Sequence, residues 1–228
     1  MPQKLYYTEK GYGTPLVLLH GNGEDSGYFV NQIDYFAAEY RVIAVDTRGH
    51  GRSPRGSAPF TLETFADDLK ALADSLKIKN FYVLGFSDGG NIALEFTLKY
   101  PEYVSRLVLC GANLFPKGLK TAFLLPVKIL CSFFSLTSHF SRKAVRRKEL
   151  LALMAKAPDI QPEELASINC PVLVIAGTHD LIKEKHTRLI ANSIKNSQLC
   201  FLSGDHGIAR KNSVEFNRTV EIFLEKPF

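Results

Sequence analysis

Residues 81–96 read FYVLGFSDGGNIALEF. The stretch opens as an apolar, aromatic run of strand length and closes with apolar residues at helical spacing. At the switch stands Gly85-Phe86-Ser87-Asp88-Gly89-Gly90. A strand that turns at once into a helix lifts the residue between them onto a tight turn. A Cβ at the flanking positions would collide with strand or helix, so glycine fits there. The helix that follows aims unpaired N–H groups at the same point, which favours negative charge there. Gly-x-Ser-x-Gly at a strand-to-helix switch therefore reads as a raised, nucleophilic Ser87.

Working outward, further apolar runs at 5–8, 16–19, 41–45, 106–109, 172–176 and 199–202 read as strands. Helical patterns near 28–38, 61–76, 89–99, 184–194 and 213–225 separate them. Near-continuous apolar strands alternating with helices predict an α/β fold, with a mostly parallel central sheet and helices on both faces. Residues 113–162 break the rhythm with helical patterns rich in Leu, Phe, Lys and Arg, punctuated by Pro116, Pro126, Pro158 and Pro162. Fifty residues make a long detour for a plain connection. The chain thus divides into a core, 1–112 and 163–228, and a small helical cap insertion, 113–162.

A serine hydroxyl needs a base and an orienting acid to become a nucleophile. In an open α/β sheet both come from loops at the C-terminal ends of strands. PVLVIAG ends in Thr178-His179-Asp180, and LCFLSG in Asp205-His206-Gly207. Ser87, Asp180 and His206 follow the order nucleophile, acid, base. His179 and Asp205 are poorer choices, because sequence neighbours do not readily face each other across a hydrogen bond. His20, His50, His139 and His186 lie in N-terminal loops, the insertion and a helix. The developing oxyanion needs two backbone donors. Asp88 N–H, directly after the nucleophile, and Asn22 N–H, in the loop closing LVLLHGNGED, are the candidates, with Gly21 beside the substrate. Asp88 has two readings: a carboxylate stabilised by the helix dipole, or a charge that recognises a cationic substrate group.

Composition bounds the partners. The formal net charge of +5 is mild and does not imply nucleic acid. Basic residues concentrate at Arg142, Lys143, Arg146, Arg147 and Lys148, read as a solvated helix face. The four cysteines form no CxxC pair, no metal-ligand spacing is present, and no cofactor is implied. The greasy segment TAFLLPVKILCSFFSLTS is interrupted by Pro126 and Lys128 and is a poor membrane span. Association of this greasy, basic insertion with a membrane surface, the enzyme then acting on lipid esters, is the less favoured alternative to a freely diffusing enzyme. The N-terminal residues lack the apolar core of a signal peptide, which makes the cytoplasm the expected location.

HGNG at 20–23, DTRGHGRS at 46–53, GFSDGG at 85–90, PVLVIAGTHD at 171–180 and GDHG at 204–207 resemble, in order, the markers of the α/β-hydrolase family. The resemblance spans nearly the whole chain. It implies that Asp46, Arg48, His50 and Ser53 shape a structural loop beside the site. Relatives that cleave carbon–halogen bonds or epoxides carry aspartate where this chain has Ser87, which disfavours those activities. The GxSDGG elbow is similar to that of relatives hydrolysing amino-acid esters. The expected activity is a carboxylesterase-type serine hydrolase acting on a small ester. The same three residues would also serve a C–C bond hydrolase, a thioesterase or a lyase. A non-catalytic ligand-binding homologue is the alternative from another class, and an intact Ser, Asp and His argues against it.

Overall fold

The computed structural model describes residues 2–137 and 141–226, apart from the side chain of Arg142. His139 lies outside the described residues. Seven strands form one sheet: β1 (Tyr7–Lys10), β2 (Thr14–Leu19), β3 (Tyr40–Val45), β4 (Phe81–Phe86), β5 (Val104–Cys110), β6 (Val172–Gly177) and β7 (Ser197–Leu202). Their order is β1-β3-β2-β4-β5-β6-β7. Only β1 is antiparallel to its neighbour; the other pairs are parallel. The helices are α1 (Val30–Phe36), α2 (Leu62–Ser75), α3 (Asp88–Lys99), α4 (Thr121–Thr137), α5 (Arg142–Lys156), α6 (Glu184–Ser193), α7 (Ile208–Lys211) and α8 (Ser213–Glu225).

The apolar strands are continuous because the sheet is covered twice. Along β2, Val17 and Leu19 join one core cluster and Leu16 and Leu18 the other. The first cluster takes Phe65 and Leu69 of α2, Ile92 and Phe96 of α3 and Ile190 of α6. The second takes Phe36 of α1 and Phe216, Val220 and Phe223 of α8. Alternation along a strand sends successive side chains to opposite faces, so a doubly covered strand must be apolar at every position. Each fully buried Leu or Phe contributes about 1.5–3 kcal/mol of transfer free energy.

One strand differs from its expected position. The run at 5–8 is displaced to Tyr7–Lys10, where Tyr7 pairs with Val45 and Lys10 with Val42. Leu5 is buried as an anchor ahead of the strand. An edge strand is fixed by its single pairing partner, and only one of its faces needs apolar residues.

Parallel pairing brings the chemistry to one edge. Leu19 lies opposite Gly85, Phe86 opposite Cys110, Cys110 opposite Ile175, and Gly177 opposite Leu202. The loops leaving β2, β4, β5, β6 and β7 therefore start side by side. Between β5 and β6, α4 and α5 pack against each other through Val127, Cys131 and Ala155. A bridge between Leu119 and Ile182 ties the start of this segment to the loop after β6.

Candidate active site

Ser87 adopts φ +54°, a left-handed conformation that a side chain tolerates only where the surroundings impose it. Its N–H donates to Cys110 O at 2.8 Å, and its carbonyl accepts from Gly90 N–H at 2.9 Å. The glycines on either side have definite causes. A Cβ on Gly85 would overlap the carbonyl oxygen of Gly89, and one on Gly89 would overlap that of Leu19. Strand, turn and helix are thus clamped together, leaving the Ser87 side chain free of any capping bond.

The hydroxyl meets His206. Ser87 Oγ lies 2.9 Å from His206 Nε2, and His206 Nδ1 lies 2.7 Å from Asp180 Oδ1. Asp180 is 3% exposed in its side chain and accepts from Ile182 N–H at 2.9 Å, which fixes the carboxylate rotamer. The structure therefore brings Ser87, His206 and Asp180 together. The rival residues go elsewhere. Asp205 accepts from Lys211 Nζ and Gly207 N–H, and Lys211 holds its carboxyl below the usual range. His179 is exposed, with Nδ1 3.1 Å from Thr178 Oγ1. His186 is buried on α6, and its Nε2 accepts from Leu114 N–H at 2.9 Å.

The loop after β2 approaches the same point. Gly21 N–H donates to Glu24 Oε2 at 3.1 Å, and Asn22, the next residue, lines the same pocket as Ser87. His20 is fully buried, accepts from Thr47 N–H on Nε2 at 3.0 Å and contacts Gly21 O through Nδ1 at 2.8 Å. Burial pushes its pKa down, so it stays neutral and pins the loop. The neighbouring 46–53 loop is internally tied. Asp46 accepts from Ser26 N–H and Arg52 N–H at 2.8 Å each, and Arg48 makes a buried bidentate pair with Asp68 at 2.6 Å.

Asp88 is buried beside the hydroxyl. Its Oδ2 accepts from Asn22 Nδ2 at 2.6 Å and its Oδ1 from Asn91 Nδ2 at 3.2 Å. Burial pushes its carboxyl up, against the opposing pull of those two amides and of His206. Asn91 Nδ2 also donates to Asn113 Oδ1 at 3.1 Å, while Asn91 Oδ1 accepts from Asn113 N–H at 2.9 Å. These bonds fix both amide orientations and leave Asn113 Nδ2 buried without a partner at the pocket wall. Asn22 Nδ2 further donates to Leu150 O of α5 at 2.8 Å.

Three residues here escaped the sequence reading. Asn91 and Asn113 carry no motif, although a buried asparagine three residues after Asp88 on an apolar helix is a faint signal. Gly111 has φ +63°, and a Cβ there would press on the His206 ring. Only the register of β5 against β4 reveals that this glycine makes room for an imidazole.

The pocket above Ser87 holds about 170 Å³. Phe86, Leu119, Phe123, Met154, Leu181 and Ile182 give it apolar walls, while Gly21, Asn22, Glu24, Asp88, Asn113 and His206 place polar groups around Ser87. A hollow of about 150 Å³ accommodates benzene, so the site admits a group of that order. Burial also raises the Glu24 carboxyl above its ordinary range.

Comparison with known proteins bears on the family and the fold. A family model described as alpha/beta hydrolase fold matches residues 14–130. The human protein Serine hydrolase BPHL is 28% identical over 244 residues, covering 97% of this chain and 83% of its own. A solved hydrolase from Pseudomonas aeruginosa PA01 superposes with a TM-score of 0.80 at 26% identity, over 97% of this chain and 94% of its own. The esterase EaEST from Exiguobacterium antarcticum shares the fold with a TM-score of 0.83 at 24% identity, over 98% and 96% of the two chains.

Proposed function

The chain belongs to the alpha/beta hydrolase fold family and is a hydrolase of that family, and on that premise we propose that it cleaves a small carboxylic ester through an acyl-enzyme on Ser87. The observation that carries this reading is the unbroken relay from Ser87 Oγ to His206 to Asp180, at 2.9 and 2.7 Å. His206 takes the hydroxyl proton as Ser87 attacks the carbonyl, and Asp180 steadies the resulting imidazolium. The tetrahedral oxyanion rests on the N–H groups of Asn22 and Asp88. His206 then gives its proton to the leaving alcohol and activates the water that releases the acid. Residues 113–162 act as the cap. Asn113, Leu119, Phe123 and Met154 from this segment supply the pocket's upper wall, and the unpartnered Asn113 amide offers a donor to a substrate oxygen.

Asp88 acts in this scheme as the tie between the Asn22 loop and α3. Its two amide partners and raised pKa support that role over recognition of a cation. No metal or organic cofactor enters the scheme. C–C bond cleavage, thioester hydrolysis and lyase chemistry would draw on the same residues, and a substrate panel separates them.

Labelling with a fluorophosphonate probe tests the assignment. Ser87→Ala abolishes labelling and lowers ester turnover by roughly 10⁴–10⁶-fold, with the melting temperature retained. Labelling at another serine, or turnover near wild type, refutes it. In the same panel, Asp88→Asn changes kcat/KM for neutral and amino-acid esters alike. A selective rise in KM for the amino-acid esters returns Asp88 to cation recognition.

A further inference from the structure

The α4–α5 pair carries a surface that the hydrolytic site does not use. On α4, Leu124, Val127 and Cys131 face inward and are buried. On the opposite side Leu125, Ile129, Phe133 and Leu136 are 56%, 61%, 55% and 74% exposed. Their spacing of four, four and three residues places them in one outward stripe. A surface helix of a globular protein ordinarily turns polar residues outward, and a large exposed apolar stripe marks a contact site.

The charge around this stripe is one-sided. Residues 113–162 contain nine Lys and Arg against two acids, Glu149 and Asp159, leaving nineteen against twenty-one in the rest of the chain. Glu149 is already paired with Arg55. The segment is thus strongly cationic on a chain that is otherwise slightly anionic. Lys128, Lys143 and Arg147 are exposed, and Arg147 stacks 5.4 Å over the Phe134 ring of α4.

We propose that this face docks on an anionic lipid bilayer. Leu125, Ile129, Phe133 and Leu136 enter the boundary between headgroups and acyl chains, while Lys128, Lys143 and Arg147 meet the lipid phosphates and carboxylates. A second copy of the chain fits poorly, because two such cationic faces repel each other. An anionic bilayer supplies both the apolar depth and the countercharge. The interruptions at Pro126 and Lys128 weigh against a transmembrane span, and among the described residues no helix is long and apolar enough to cross a membrane. Lying in the interface makes neither demand. This surface stands apart from the relay at Ser87, so either proposal survives failure of the other.

The test is sedimentation of the full chain with vesicles of phosphatidylcholine, alone or mixed with phosphatidylserine. The chain is expected to bind the mixed vesicles and to be released as salt rises from about 0.1 M to about 0.5 M. The triple variant Leu125→Ser, Ile129→Ser, Phe133→Ser loses at least about tenfold in partitioning, as does Lys128→Glu, Lys143→Glu, Arg147→Glu. Melting temperature and turnover of a soluble ester report that each variant is folded. Should a triple variant fail to fold, an environment-sensitive dye on Ile129→Cys must shift to the blue on mixed vesicles. The same dye on Val214→Cys, an exposed position at the start of α8, must not. No binding to either vesicle, binding unchanged in the serine variant, or a wild-type dimer that the serine variant dissolves without any vesicle binding would each overturn the proposal.

Discussion

The elbow at β4–α3 and the pair α4–α5 are built on opposite terms. Around Ser87 the surroundings dictate residue type: glycines wherever a Cβ would meet backbone, and an amide for each Asp88 oxygen. On α4 the inward stripe is equally constrained, but the outward stripe is apolar and, among the described residues, more than half exposed. The contrast teaches that hydrophobicity alone does not report burial. Along β4 the apolar side chains are explained by what the chain itself packs on them. Along the outer stripe of α4 they are not.

The largest test of that contrast is a matched pair of truncations. Leu18 is fully buried and Ile129 is 61% exposed. Leu18→Ala should cost about 2–5 kcal/mol through lost burial and a residual cavity, whereas Ile129→Ala should stay within about 0.5 kcal/mol. Urea denaturation of both variants measures it, and equal costs would place Ile129 against protein after all.

Next in size is Gly111→Ala. The added methyl meets the His206 ring, and a misplacement of about 1 Å in a reacting group lowers turnover by about 10²-fold. Crystallography of the variant should show the imidazole displaced from Ser87. Unaltered turnover would mean that the ring position is not critical.

The smallest effect is one of pH. Burial pushes the His186 pKa down to about 4 from its ordinary 6.5. Between those values the unfolded chain binds a proton that the folded chain refuses, so stability falls as pH drops from 6.5 towards 4. The loss from this group should reach about 2 kcal/mol by pH 5. Denaturation at pH 7 and pH 5 should show His186→Gln losing less than wild type. An equal loss in both would assign the acid sensitivity to other groups, with His50, also pushed down to about 4, first among them.

Much of the fold was legible because its signals are local. Ser87, Asp180 and His206 each follow a strand that ends at a definite residue, and parallel strands deliver their ends to one edge. Asn91, Asn113 and Gly111 were not legible in that way. Their importance comes from the pairing of Phe86 with Cys110, which sets α3 beside the end of β5. β1 was misplaced by two residues because the buried Leu5 imitates a strand, whereas pairing with Val42 and Val45 decides the matter. The outward stripe of α4 could not be told from an inward one, since periodicity records which residues are apolar and not what lies against them.

The single amide of Asn22 holds the Asp88 carboxylate with one hydrogen and the Leu150 carbonyl with the other. Raising α5 away from the sheet therefore strains a bond whose other half steadies the turn next to Ser87. Roof and floor of the cavity share one fastener, so a molecule bulky enough to prop the helices apart would also loosen the floor beneath itself. Tolerance for oversized guests and readiness to react are thereby set against each other in one side chain.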